Sequence, residues 1–485
     1  MENKKISRSK VLGGLFWRFA ERVGAHGVSF VVSIILARIL APEVYGTIAL
    51  VTVFTTILNV FVDSGLGSAL IQKKNADDLD FSSVFFFNIS ICCFLYAIMF
   101  FISPVIAHFY NDNTLIPIIR VLSLTIVISG VKNIQHAYVA KTLQFKRFFF
   151  ATLGGTIGAA IIGIFMAYKG YGVWALVVQQ IFNMTVDTII LWITVKWRPK
   201  LMFSFERLKT LLAYGWKLLV SALLDTGYTE LRQLIIGKMY TSADLAFYNR
   251  GRQFPSLVVE NINASINSVL FPTLSQTQDD KKRMKEITRI SIKTSTYIMA
   301  PFMMGMAFCA ETIIRLLLTD KWIDCVPYMR IFCITFMFYP IHTANLNAIK
   351  AMGRSDVFLK LENIKKVVGL LILISTMWFG VMIMAYSLLL STFLSMIINS
   401  WPNRKLLEYR YEDQMKDILP SIAIAVFMGF CVYLIQYIGL GEVVTLLIQI
   451  PLGVIIYIVG SKYLKIEAYS YLLGIIKQHI NTKKA

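Results

Sequence analysis

Apolar stretches long enough to cross a lipid bilayer follow one another along almost the whole chain. A membrane span needs about 20 mostly apolar residues. About fourteen such stretches are present, near 12–38, 44–66, 82–106, 115–138, 148–168, 172–195, 211–238, 245–273, 291–316, 327–349, 358–378, 382–401, 417–438 and 442–461. Lipid offers no partner for backbone N–H and C=O groups, so consecutive spans of this length must be helices. The expected fold is an all-α polytopic membrane protein with about 14 transmembrane helices. Composition agrees: charged residues are 16% of the chain, against about 25% in soluble domains.

The net charge of +20 could point to nucleic acid. Its distribution points elsewhere. Basic groups fall in alternate connections, among them Lys4, Lys5, Arg8 and Lys10, then Lys196, Arg198 and Lys200, then Lys281, Lys282, Arg283 and Lys285. The opposite connections carry Arg38, Lys169, Lys238 and Lys321. This is the positive-inside asymmetry. It places both termini in the cytoplasm and leaves no nucleic-acid partner to invoke. Trp174, Trp192, Trp197, Trp322, Trp378 and Trp401 fall near span ends, as an aromatic belt does. The first apolar stretch is too long and too charged for a cleavable leader. Of the six Cys, Cys325 is the one expected outside, so no disulfide framework is implied. After about residue 464, Tyr469, Leu472, Leu473, Ile476 and Ile480 recur at helical spacing among lysines, which predicts an amphipathic helix on the inner leaflet.

The chain repeats at about 200 residues. Arg18, Arg22, His26, Ser29 and Ser33 shift by 199 onto Lys217, Ser221, Asp225, Tyr228 and Arg232. In the second helix of each half, Gly46, Thr56, Asp63 and Leu70 shift by 200 onto Ala246, Ser256, Asn263 and Leu270. Six spans per repeat is an even number, so the two halves enter the membrane from the same side. That predicts two six-helix lobes in a parallel repeat, a transporter arrangement. The expected divisions are 1–200 for spans 1–6, 201–405 for spans 7–12, and 406–485 for two further spans and the amphipathic tail.

Charge inside a membrane helix is expensive and ordinarily faces protein or a watery cavity. Four polar stripes are therefore expected to line a vestibule. They comprise the first-helix stripes above, then Thr52, Thr56, Asn59 and Asp63, and finally Arg252, Ser256, Glu260, Asn263 and Asn267. Arginine presents a planar fork suited to phosphate oxygens. Arg18, Arg22, Lys217, Arg250, Arg252, Asn59 and Asn263 are the candidate ligand-binding residues. The bland alternative is internal pairing, for example Arg18 with Glu21, or snorkelling of Lys and Arg to the headgroups. Glu21, Asp187, Asp225 and Glu260 could couple transport to an H+ or Na+ gradient, or could simply balance the basic groups. Pro255, Pro301 and Pro340 are expected to kink their spans. Gly154, Gly155, Gly158 and Gly163 give the fifth span a small face for close packing. No P-loop and no metal-ligand spacing is present, so no ATP, metal or other cofactor is expected and no catalytic residue is assigned.

Particular segments carry a family resemblance. Ile35-Leu-Ala-Arg38-Ile-Leu-Ala-Pro42-Glu43-Val-Tyr45-Gly46 joins the first two spans. Asp63-Ser-Gly65-Leu-Gly-Ser-Ala69-Leu-Ile-Gln72, Gly170-Tyr-Gly172-Val-Trp174 and Phe247-Tyr248-Asn-Arg250-Gly follow. In this order they resemble the Wzx-type polysaccharide flippases, particularly the colanic-acid-like members, of the multidrug/oligosaccharidyl-lipid/polysaccharide exporter superfamily. The resemblance implies fourteen helices and transfer of an undecaprenyl-diphosphate-linked oligosaccharide to the outer leaflet of a bacterial cytoplasmic membrane. It implies a cationic cavity, with Arg18 or Arg22 and Arg250 or Arg252 as the matching arginines. Thr52, Thr56 and Asn59 stand where a related flippase carries an arginine in its second helix. The implied partners are the lipid-linked glycan, membrane lipids, a polysaccharide polymerase and a chain-length regulator, with the chain itself a monomer. A multidrug cation antiporter would want an acidic cavity, and a glycan polymerase or ligase would want a large external loop; neither is seen in the sequence.

Overall fold

A computed structural model describes residues 8–63 and 65–482. The chain divides into two compact units, Met1–Ala246 and Phe247–Ala485. In the first lie α1 (Arg8–Ile39), α2 (Pro42–Asp63), α3 (Leu66–Gln72), α4 (Asp78–Tyr110), α5 (Leu115–Leu122), α6 (Leu124–Thr142), α7 (Lys146–Tyr168), α8 (Val173–Thr194) and α9 (Phe205–Met239). Helix α10 (Ser242–Ser275) leads into the second unit, which holds α11 (Lys281–Phe308), α12 (Ala310–Leu318), α13 (Val326–Met337), α14 (Tyr339–Ala351), α15 (Ser355–Thr376), α16 (Val381–Ser400), α17 (Asn403–Leu406), α18 (Tyr411–Leu434), α19 (Glu442–Tyr463) and α20 (Glu467–Thr482). The described residues are all-α, as a polytopic membrane chain requires.

Helices occupy all fourteen apolar stretches among the described residues. By length and hydropathy alone, however, eight of them can cross a membrane, or nine if α11 and α12, bent by 67°, form one broken span. The shortfall has a physical cause. The described apolar part of α1 is the shorter Val23–Ile39, helices α9 and α10 carry polar stripes, and α15 carries Lys360, Glu362, Lys365 and Lys366. The stretch 327–349 is broken in two: α13 ends at Met337, and Pro340 sits in the first turn of α14. Pro340 thus starts a helix, where its missing N–H costs nothing, instead of kinking one. Pro255 and Pro301 do lie inside helices.

Both units use the same short connection before their last repeat helix. Gly172 precedes α8 at φ 53°, and Gly380 precedes α16 at φ 101°. A side chain at either position would be strained. Helices α7 and α8 approach closely where Gly155 faces Asn183 and Gly163 faces Gln179. On the first unit's polar end, Asp77 caps α4, its carboxylate accepting from Asp80 N and Asp80 returning the bond. Arg207 of α9 reaches both acids, 3.0 Å from Asp77 and 3.4 Å from Asp80. The backbone N–H bond and Arg207 hold the Asp77 carboxyl below its ordinary range. In the second unit, Asp417 of α18 accepts from Arg289 at 2.8 Å, from Tyr409 at 2.7 Å and from Lys293, which also binds Glu467. That cluster ties α11, α18 and α20 together.

Two surface expectations change. Cys325 is fully buried, 0% exposed, in a 3-10 turn. Trp322 in the same turn and Trp197 are buried too, while Trp378 and Trp401 remain exposed.

Candidate functional site

The first-helix stripe is only partly visible. Arg18, Arg22 and Asp63 have side chains outside the described residues. Glu21 is buried, 9% exposed, and accepts from Thr152 of α7 at 3.4 Å. His26 and Ser29 are exposed. Lower on the same helix, Ser29 and Ser33 line a cavity of about 110 Å³ with Tyr45, Thr156, Gln179 and Asn183. Asn59 is half-buried on α2. On α9, Lys217, Ser221 and Asp225 share one exposed face at four-residue spacing.

Arg250 and Arg252 are two residues apart and therefore point in different directions. Arg250 is 6% exposed. Its Nη1 donates to Gln253 at 2.5 Å, and its guanidinium lies 5.2 Å from the Trp322 ring. It is a packed core group. Arg252 is half-buried and has no hydrogen bond or ion pair among the described residues. It acts electrostatically on Tyr339 of α14. Of the two, Arg252 has its donor fork available. Glu260, on the same helix, is exposed and likewise unpaired among the described residues.

From Arg252 a polar face continues along α10 onto α14. Asn263 accepts from Thr343 at 3.4 Å, and Asn267 accepts from Asn347 at 2.6 Å. Next to them on α14, His342 stands 3.0 Å from Asn399 of α16, and Lys365 of α15 is paired with Glu362 at 2.6 Å. Arg252, Lys365, four amides and a histidine thus occupy one unit. Such a set can bind an anion with a hydroxyl-rich body, the guanidinium and ammonium taking charge and the amides taking hydroxyls.

The first unit has the counterpart. Asn133 of α6 donates to the Val62 carbonyl of α2 at 2.7 Å, and Lys132 forms an ion pair with Asp187 of α8 at 2.6 Å. Lys132 and Asn133 shift by 210 onto His342 and Thr343. Equivalent contacts therefore link equivalent helices, α6 to α2 and α8 in one unit and α14 to α10 and α16 in the other. Asp187, proposed from sequence as a coupling acid, is 7% exposed and engaged with Lys132. Sequence inspection missed Lys132, His342, Thr343, Asn347, Glu362, Lys365 and Asn399. Extending the repeat to its fourth helix would have found the α6 and α14 groups, because polar runs at 132–135 and 342–345 interrupt apolar stretches at matching places. Among the described residues no group of three or more His, Cys, Asp or Glu is placed to hold a metal.

Comparisons with known proteins agree on one class. The family described as polysaccharide biosynthesis protein matches residues 35–327. The chain is 23% identical over 325 residues to the succinoglycan biosynthesis transport protein ExoT of Rhizobium meliloti (strain 1021), covering 67% of this chain and 66% of that protein. It is 21% identical over 425 residues to the teichuronic acid biosynthesis protein TuaB of Bacillus subtilis (strain 168), covering 86% of each. It is 21% identical over 365 residues to the lipopolysaccharide biosynthesis protein WzxC of Escherichia coli (strain K12), covering 74% and 73%. In fold it is similar to the lipid II flippase MurJ in an inward closed conformation, with TM-score 0.75, 16% identity and coverage of 96% and 100%. A multidrug resistance MATE family transporter of the MOP superfamily gives TM-score 0.60 at 13% identity, covering 79% and 94%.

Proposed function

The chain belongs to the polysaccharide biosynthesis protein family, and from that premise we propose that it is a flippase for a lipid-linked glycan. It carries an undecaprenyl-diphosphate-linked oligosaccharide repeat unit from the inner to the outer leaflet of a bacterial cytoplasmic membrane. It is a multi-pass transporter and not an enzyme. Both termini are cytoplasmic, and the chain works as a monomer alongside a polymerase and a chain-length regulator. The product is an O-antigen, capsule or exopolysaccharide. The lobes are residues 1–200 and 201–405, with 406–485 appended.

The observation that carries this reading is the pairing of an available Arg252 with an amide-rich face of Asn263, Asn267, Thr343 and Asn347. Diphosphate needs cationic forks, and sugars need amides and hydroxyls. Alternating access would expose this face to each side in turn. A multidrug cation antiporter fits less well, because Arg252 and Lys365 would repel its cargo. Arg18, Arg22, Lys217 and Asn59 extend the same role to the first two helices of the repeat. Asp225 and Glu260 remain the acids proposed for ion coupling.

Substitution at Arg22 and Arg252 tests the reading. Lysine keeps the charge and loses the bidentate fork. Polymer display on cells should follow the order Arg, then Lys, then Gln at both positions, with protein amount unchanged. The loss in Gln should be about tenfold or more, since a charge-assisted hydrogen bond contributes about 1.5–3 kcal/mol. Arg22→Gln and Arg252→Gln proteins that are made normally and export glycan normally would remove the diphosphate role.

A further inference from the structure

We propose that the groove between α10 and α11 holds one anionic phospholipid, with an acyl chain between the two helices and the phosphate met by Arg283, Lys281 and Lys282. All of these groups lie in the second unit. The site requires that the chain span a membrane, and it is independent of the cargo proposed above.

A cavity of about 610 Å³ separates the two helices. Ile262, Ile266 and Val269 of α10 line one side, and Ile287, Ile290 and Ile298 of α11 the other. Helix α20 adds Tyr471 and Leu472. The hydroxyls in the groove are already used. Ser265 donates to the Asn261 carbonyl, Thr273 to that of Val269 and Thr294 to that of Ile290, each within its own helix. Such back-bonding leaves the wall short of free donors. That suits a hydrocarbon chain and not a sugar, whose hydroxyls would go unpaired. From Asn261 to Thr273 the groove runs about 18 Å along α10, at 1.5 Å per residue. One leaflet of hydrocarbon is about 15 Å deep. An acyl chain matches that length, whereas an undecaprenyl tail is far longer.

In the first unit the matching seam is closed by protein. Leu66, Ala69 and Leu70 of α3 shift by 200 onto Ile266, Val269 and Leu270 of α10. The cap Asp77 of α4 shifts by 203 onto the cap Asp280 of α11. Helix α9 packs against α2, α3 and α4, and buries Leu208 and Leu211 in one core with Leu66 and Leu70. Ala69 is 5% exposed there, whereas Val269 is 67% exposed. The charge at the mouth is reversed as well. Helix α4 opens on Asp77, Asp78 and Asp80, and α9 answers Asp77 and Asp80 with Arg207. Asp78 and Asp80 shift by 203 onto Lys281 and Arg283. Lys281, Lys282 and Arg283 are exposed, with no ion pair among the described residues. Arg283 stands one turn before Ile287, on the same face of α11. The occupant of this seam must therefore be apolar along the helices and anionic at the mouth. A phosphate accepts the guanidinium fork in two hydrogen bonds. The positive-inside asymmetry puts the mouth at the cytoplasmic leaflet, whose surface is anionic.

The test places the full-length protein in phosphatidylcholine nanodiscs, with phosphatidylglycerol carrying a diazirine on its acyl chain as the probe. After illumination, mass spectrometry of the digested protein locates the label. It should fall on 261–273 and 287–298. Phosphatidylglycerol should label these segments about tenfold more than a phosphatidylcholine probe with the same chain, the size of one charge-assisted hydrogen bond. Replacing Lys281, Lys282 and Arg283 together by Gln should remove that preference and leave the labelled positions unchanged. Val269→Trp fills the groove and should lower labelling by both probes. Equal labelling by the two probes in wild type would overturn the anionic site. A wild-type pattern that avoids both segments would overturn the groove. Displacement of the label by equimolar undecaprenyl phosphate would overturn the phospholipid and give the groove to the polyprenyl chain. The comparison of probes needs the wild-type chain alone, so it stands even where a variant fails to fold. Glycan transport enters none of these readouts, so the site and the flippase reading fail separately.

Discussion

The contact between α6 and α8 in the first unit and the contact between α14 and α16 in the second occupy matching places in the repeat, yet they are chemically opposite. Lys132 and Asp187 form a charged pair at 2.6 Å. His342 and Asn399, an imidazole and an uncharged amide, meet at 3.0 Å. A buried ion pair holds its charge state, because removing one partner leaves the other uncompensated. A histidine–amide pair is a single hydrogen bond and costs less to lose. The repeat thus keeps the positions of two polar contacts while giving one unit an ion-paired clasp and the other a weaker hydrogen bond.

The largest expected effect breaks the ion-paired clasp. Asp187→Asn should cost about 3 kcal/mol of stability, the cost of stranding a buried charge. Asn399→Leu should cost about 1 kcal/mol, the worth of one neutral hydrogen bond. Combining Lys132→His with Asp187→Asn rebuilds the second unit's pair in the first, and should recover at least half of the loss. Thermal unfolding of the purified protein measures all three. Equal losses for Asp187→Asn and Asn399→Leu would erase the distinction between the contacts.

The next effect separates neighbours on α10. Arg250→Gln removes a buried guanidinium from the Trp322 face, at about 2 kcal/mol for a desolvated cation–π contact. Folded protein should fall. Arg252→Gln should leave folded protein unchanged and lower export instead. The reverse pattern, seen by comparing membrane-extracted protein with polymer display, would exchange their roles.

The smallest effect lies at Asp77. Its folded pKa is held below the ordinary carboxylate range by the Asp80 N–H bond and Arg207. A lowered folded pKa gives stability that is present above the unfolded pKa and lost as pH falls through the folded one. From neutral pH down to mildly acidic pH, Asp77→Asn and wild type should therefore differ by a constant amount. The difference should shrink only below about pH 4, the ordinary carboxylate range. A difference that closes near neutral pH would show that the cap at α4 is not what Asp77 provides.

Much of the fold could be read from hydropathy. The apolar stretches named the helices, because a 20-residue run in lipid has no other way to satisfy its backbone. The breaks were harder. Pro340 predicts a kink, but whether a proline kinks a helix or begins one depends on whether the preceding chain continues, here ended at Met337. Cys325 was expected outside and Trp322 in the aromatic belt at a span end, yet the 3-10 turn folds inward and buries both. At the candidate site, the stripe on α10 was legible from its spacing. Its partners on α14, α15 and α16 were not, since a lone Thr343 or Asn399 in an apolar helix carries no signal until the neighbouring helix is known. Arg250 and Arg252 looked equivalent in sequence; only packing against Trp322 separates them.

Movement of a lipid-linked glycan between leaflets is the activity proposed for this chain. The direct measurement is the sidedness of undecaprenyl-diphosphate-linked glycan in spheroplasts, labelled from outside by a reagent that does not cross the membrane. Cells lacking this chain should hold the glycan lipid unlabelled on the inner leaflet. Restoring the wild-type chain should bring it to the outer leaflet, and restoring Arg252→Gln at equal level should not. Full outer labelling without the chain would contradict the account.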